Sequence, residues 1–222
     1  MKISDIPHQT YSSGNIRDFA LQLKKAGIKK IVNMIYEAYV KLEISKIVTE
    51  DMDEVRITEE LFIKIQRVWR EKGDQNIIPI SEKPHDRPAH SRGRSPTIDF
   101  CFRDEYCSNA YFGSECKKLK ENDSPRYSEY IQNGVCRYIR GKYSVECSEG
   151  SMIGYIVKGD AERIITGVVA KVDEISDYSK TKQSDMIKDF SAYYISGHTR
   201  SVGVSPIQIH HFFFVFTVAA ES

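Results

Sequence analysis

The 222-residue chain carries almost no net charge, +1 from 32 basic and 31 acidic residues, so no global basic field marks it as a nucleic-acid binder and any polyanion must be met by a local patch. Cysteine is sparse and unpatterned. Cys101, Cys107, Cys116, Cys136 and Cys147 form an odd set without paired C-x-x-C spacing, which argues against a disulfide framework or a zinc site and for reduced thiols in a cytoplasmic protein. Long apolar runs are missing too. The opening M-K-I-S-D-I-P-H-Q-T-Y has no apolar h-region, and the late H-F-F-F-V-F-T-V-A-A is too short to span a bilayer, so neither secretion nor membrane insertion is expected. What is present, 41% hydrophobic and 28% charged residues, suffices for one fair-sized core or a core with a small helical attachment.

The most informative stretch is S-P-T-I-D-F-C-F-R-D-E-Y-C-S-N-A-Y-F-G-S-E-C-K-K-L, from Ser95 to Leu119. Its aromatic runs predict a strand over Thr97–Phe102, a polar turn containing Asp104, Glu105, Ser108 and Asn109, and a second strand over Tyr111–Lys117. A period of two places Ile98, Phe100 and Phe102 on one face of the first strand, and Phe112, Ser114 and Cys116 on one face of the second. Asp99, Glu115 and Lys117 take the opposite faces. Paired as a hairpin, the strands bring two carboxylates and an ammonium together over a polar surface. Such carboxylates can hold Mg²⁺ with hard oxygens, and a Lys beside them can orient or help deprotonate a water attacking a phosphodiester. The bland reading is a pair of solvated charges, since E-x-K is common in charged chains. Against it, these charges interrupt strongly apolar strands.

Asp99 followed by Glu115-Cys116-Lys117 resembles the D…(D/E)-x-K signature of the PD-(D/E)XK, or restriction-endonuclease-like, nuclease superfamily. The Pro-Asp adjacency of that family is absent, because Pro96 lies three residues before Asp99. The resemblance implies an α/β fold with a mixed β-sheet flanked by helices, here preceded by a helical N-terminal region. It also implies Mg²⁺ (with Mn²⁺ as substitute) held by Asp99, Glu115 and the backbone carbonyl of Cys116, Lys117 acting on water, and DNA as the substrate. Some members present a further Glu from a helix before the Asp strand; Glu37 is the first candidate and Glu43 the second, each also readable as an ordinary helix charge. A looser likeness, across F-G-S-E-C-K-K-L, G-V-C-R-Y-I-R-G-K-Y and M-I-G-Y-I-V, is to bacterial nuclease-like proteins found with defence systems. The rival expectation is a catalytically inactive, nuclease-like scaffold whose helical half and aromatic C-terminal strand engage a protein partner or a second copy of the chain.

Along the rest of the chain, Ser12, Ser13 or Asn15 caps a helix ending before Gly27, and Ile28–Val48 predicts a longer one. Glu50-Asp51-Met52-Asp53-Glu54 reads as a connection, with Thr58 capping a helix that stops at Gly73. The expected division is 1–80, mainly helical, and 81–222, the nuclease-like core. The Lys83–Pro96 stretch excludes a helix or central strand and carries Arg92 and Arg94 directly into the Asp99 strand, where they can meet flanking phosphates or simply solvate a loop. Ser124-Pro125 starts a helix to Arg140, whose Arg137 is a further DNA contact candidate. A strand over Met152–Val157, a helix capped by Asp160, and strands over Ala192–Thr199 and Ile207–Val218 complete the reading. On the last, His210 and His211 must face opposite ways, which disfavours a shared metal site.

Overall fold

The computed structural model describes residues 27–73, 76–84, 97–104, 110–200 and 205–216. The helix expected before Gly27, Cys107, the polar turn at 105–109, and Arg92 with Arg94 lie outside the described residues. Two helices lead: α1 (Ile28–Ser45) and α2 (Glu54–Lys72). They are followed by β1 (Ile77–Pro84), β2 (Thr97–Asp104) and β3 (Tyr111–Leu119). Next come α3 (Ser124–Glu129), a π-helical segment (Tyr130–Val135) and α4 (Cys136–Ile139), running together as one interrupted helix. β4 (Glu149–Ile156), α5 (Ala161–Ile175), β5 (Ser179–Gln183), β6 (Tyr193–His198) and β7 (Ile207–Val215) close the chain.

The strands form one mixed sheet in the order β1-β2-β3-β4-β7-β6-β5. The pairs β3–β4 and β4–β7 are parallel, and the pairs nearer each edge are antiparallel. This is an α/β architecture with N-terminal helices and a mixed sheet flanked by helices. On one face α1 and α2 pack against Phe100, Phe102, Phe112, Cys116, Ile153, Tyr155, Phe212 and Phe214. On the other, the α3–α4 run and α5 pack against Ile98, Cys101, Tyr111, Leu119, Met152, Ile156, Ile209 and Phe213. β7 therefore alternates between two apolar layers rather than between core and water, as strands at the centre of a helix-covered sheet do. Tyr39 fixes α1 to that strand, its ring stacked 4.1 Å from Phe214 and its hydroxyl donating to the Val215 carbonyl at 2.7 Å.

Several sequence expectations shift. α2 starts at Glu54, not after Thr58, because the Asp53 carboxylate accepts the Arg56 N–H at 2.8 Å and Ile57 belongs to the buried stripe of Leu61, Ile65 and Val68. Thr58 turns its hydroxyl back onto the Glu54 carbonyl instead. Asp123, not Ser124, caps α3. β1 was not expected; it is an edge strand, where Pro79 and Pro84 are tolerated. The boundary placed at residue 80 lies inside it. β5, S-K-T-K-Q, is the opposite edge, too polar to signal a strand and protected by its lysines. Ile98 packs with the second layer while Phe100 and Phe102 pack with the first, so the expected alternation is interrupted at Asp99. The four described cysteines form no disulfide, and among the described residues no helix is long and apolar enough to cross a membrane.

His210 and His211 do face apart. His210 contacts Tyr193 and the Glu149 carboxylate, whereas His211 joins a buried chain on the other face. In that chain the Ile175 carbonyl can only accept, so His198 Nδ1 carries hydrogen and its Nε2 accepts from Ser196 (2.8 Å). The Ser196 oxygen then accepts from His211 Nε2 (2.7 Å), leaving His211 Nδ1 to accept from the Tyr130 hydroxyl (2.9 Å). Every group has one role when both rings are neutral, and burial holds the pKa of both below the ordinary histidine value. Ser196→Ala removes the shared hydroxyl and strands two buried ring nitrogens, which should lower stability by about 1–3 kcal/mol. Urea unfolding midpoints of the variant and the wild-type protein check this.

Candidate active site

β3 parts from β2 beyond Ser114. The last pairing toward the site joins Phe100 to Ser114; beyond it the Cys116 N–H is satisfied by the Asp99 carboxylate, Oδ2 at 2.7 Å. A central strand cannot leave that donor unpaired, and a side chain has taken the place of a ladder bond. On its other edge β3 stays in register with β4, Glu115 opposite Met152 and Lys117 opposite Gly154. Asp99, Glu115, the Cys116 backbone and Lys117 are thus brought together.

The ammonium of Lys117 is the hub. Its Nζ donates to Glu115 Oε1 at 3.0 Å, to Glu54 Oε1 at 3.0 Å and to the Cys116 carbonyl at 2.6 Å. Glu54, at the first position of α2 where the helix dipole favours an anion, also accepts the Lys118 N–H through Oε2 at 2.7 Å. Lys118 itself reaches the opposite way, its Nζ on the carbonyls of Glu50 and Met52. The α1–α2 connection is therefore laced to the end of β3 from both sides. From the helical side, Arg137 NH1 lies 3.4 Å from Glu115 Oε1 and donates to the Tyr143 hydroxyl at 2.6 Å; that hydroxyl donates to the Thr97 carbonyl. Arg137 is half-buried against Glu115. Glu54, Glu115, Lys117, Lys118 and Arg137, with Asp51, Asp53, Arg126, Glu129 and Asn133, line an open cleft of about 600 Å³.

Burial sets the electrostatics. Glu115 is pushed up to about 7, first by desolvation and then by the neighbouring Asp99 charge, with Lys117 and Arg137 pulling the other way. Asp99 is raised for the same leading reason, against the Lys117 charge and the Cys116 N–H. For Lys117 desolvation acts downward, but Glu115, Glu54 and Asp99 outweigh it and hold the ammonium charged.

Glu37 is not part of this group. It sits half-buried on α1, paired with Lys72 at 2.7 Å, and Glu43 is likewise half-buried and paired with Lys46. The helical carboxylate that reaches Lys117 is Glu54. The sequence signals the helix start, since Ile57, four residues before Leu61, extends the apolar stripe of α2 backward and makes Asp53 the cap, but not the reach of Glu54 to Lys117.

The donors suit a hard cation. Asp99, Glu115, Glu54 and the Cys116 carbonyl are all oxygens, and Glu115 Oε2 is shielded from solvent without a hydrogen-bond partner. Among the described residues, however, no three His, Cys, Asp or Glu side chains converge to hold a metal ion. Any Mg²⁺ here would rest on two carboxylates, a backbone oxygen and waters, which that ion accepts. Comparison of the chain with family models, curated proteins and solved structures finds no match.

The Glu115 shift has a pH consequence. A carboxyl raised from its ordinary 4.5 to about 7 binds an extra proton in the folded state. Its stabilisation is complete below pH 4.5 and is lost as pH rises through about 7. Glu115→Gln, neutral throughout, escapes that loss. The stability difference between E115Q and wild type should move in favour of E115Q across this window and level off above it, as read from urea midpoints between about pH 4 and 8.

Proposed function

We propose that the chain is a metal-dependent phosphodiester hydrolase acting on DNA, with the site arrangement of PD-(D/E)XK nucleases. The observation that carries this reading is the convergence of Asp99, Glu115 and Lys117 around the Cys116 peptide at the point where β2 and β3 part. The order of elements supports it: a strand bearing Asp, a strand bearing E-x-K, a helix, a strand and a helix.

When bound, Mg²⁺ supplies Lewis-acid stabilisation of the phosphate and lowers the pKa of a bound water. Asp99, Glu115 and the Cys116 carbonyl would hold it. Lys117 orients the attacking water and offsets charge developing on the phosphoryl oxygens. Arg137, kept against Glu115 by Tyr143, is placed to meet a nonbridging phosphate oxygen. Glu115 works ionised, the form that a bound divalent cation favours.

A second reading, a nuclease-like scaffold that binds a protein partner, has its own support: Lys117 and the Cys116 N–H find all their partners inside the protein. Cleavage of linear and circular DNA in Mg²⁺, Mn²⁺, Ca²⁺ and EDTA separates the two. The hydrolase cleaves in Mg²⁺ or Mn²⁺ and stops in EDTA. Lys117→Ala should lower the single-turnover rate by roughly 10²–10³ in samples whose fold is confirmed by circular dichroism, and Asp99→Ala should impair both metal binding and cleavage. Undiminished cleavage in EDTA, or a K117A variant at full rate, overturns the assignment.

A further inference from the structure

An ammonium has three N–H donors, and those of Lys117 meet three acceptors: Glu115 Oε1, Glu54 Oε1 and the Cys116 carbonyl. In this arrangement no N–H is left over to hold a water. Two of the three acceptors are the oxygens assigned above to a divalent ion. The same atoms therefore serve two cations, and a compact, strongly hydrated point charge such as a Lys ammonium is a fair mimic of a hard metal. The second Glu115 oxygen, solvent-shielded and unpartnered, marks the side of the cage that the ammonium does not satisfy.

We propose that Lys117 is the resident cation of this site and that it changes place when a divalent cation binds: the ammonium leaves Glu115 Oε1 and the Cys116 carbonyl, stays on Glu54, and only then gains the free N–H donors that can orient water. The inference rests on the metal-dependent reading of the site. Glu54 is suited to the retaining role because its other oxygen is pinned by the Lys118 N–H, so it does not follow the side chain it holds. Glu54 is then a positioning residue, and the site arms its water-orienting group only after the metal is in place. Protein without metal is held in a closed, internally neutralised state.

The exchange has a signature that needs no nucleic acid and no turnover. Removing the ammonium removes the competitor, so Lys117→Met should bind Mn²⁺ about tenfold more tightly than wild type or better, a like charge in the cage having been lost. Glu115→Gln should bind it more weakly. Full-length protein is titrated with Mn²⁺ and free ion is read by electron paramagnetic resonance, with circular dichroism confirming the fold of each variant. Equal or weaker Mn²⁺ binding by folded K117M overturns the exchange while leaving the metal site standing. Absence of binding by wild type and K117M alike overturns the metal reading and the exchange with it. If K117M does not fold, wild-type protein decides: the Lys117 ammonium, shielded from solvent exchange by its three partners, gives an observable ¹⁵N signal that should shift or vanish on saturation with Mg²⁺. A signal unchanged at saturation overturns the proposal.

Discussion

Burial of carboxylates around one ammonium is the constraint to which the surrounding structure answers. Glu115 is almost completely enclosed, and a charged carboxylate at such a depth persists only with paired and hydrogen-bonded partners. Lys117 provides that pairing, and in doing so it requires Glu54, which lies on a different layer of the fold. The contact that neutralises the site is therefore also a contact that docks the start of α2 on β3. Lys118 adds the second stitch by holding the Glu50 and Met52 carbonyls. Helix placement and site geometry cannot be varied separately, because the same few hydrogen bonds determine both.

The sheet makes room for this at one defined place. β3 is buried from Tyr111 to Cys116 and changes partner along its length, pairing with β2 over Tyr111–Ser114 and with β4 over Ser114–Leu119. Each edge left open is closed by a side chain: before β4 joins, the Gly113 N–H donates to Ser144 Oγ, and beyond Ser114, where β2 diverges, Asp99 accepts the Cys116 N–H. Asp99 thus has a structural duty beside any chemical one. The buried histidines belong to a different part of the sheet. His198 and His211 share Ser196 in a chain in which each donor has an acceptor, and this accounts for their burial without invoking chemistry.

The parts of the fold that were legible in the sequence are those where one physical signal dominates. I-D-F-C-F and Y-F-G-S-E-C-K carry β2 and β3 because aromatic residues flank charges at a spacing of two, and the apolar run around Ile153 carries β4. α5 was legible from Asp160 and the stripe of Ile164, Val168 and Val172, which the structure buries. The misses share a cause, namely that tertiary context outweighed a local signal. Thr58 is a good cap by type, but Asp53 wins because Ile57 has a buried place waiting for it. Glu37 stood out for its nearness to an apolar face, yet α1 turns that edge outward toward Lys72. Glu54 looked like part of an acidic linker, since only the three-dimensional approach of Lys117 reveals why a carboxylate is wanted there. The π-helical segment at Tyr130–Val135 left no trace in a periodicity that reads as ordinary helix.

Charge balance within the cleft links these observations to the kind of ligand it can receive. Its described lining carries five acidic residues (Asp51, Asp53, Glu54, Glu115 and Glu129) against four basic ones (Lys117, Lys118, Arg126 and Arg137). A polyanion approaching such a surface gains little from long-range attraction, and the near-zero charge of the whole chain offers no compensation. In the proposed metal-bound state two positive charges among these carboxylates would reverse the sign of the cleft, with the Lys117 charge, already counted, redistributed toward the ligand. Divalent-ion binding and phosphate binding are then coupled through the field as well as through direct contact. If the site is the metal-dependent one proposed, its acidic surroundings would make the cleft receptive to phosphate only once a divalent ion is bound.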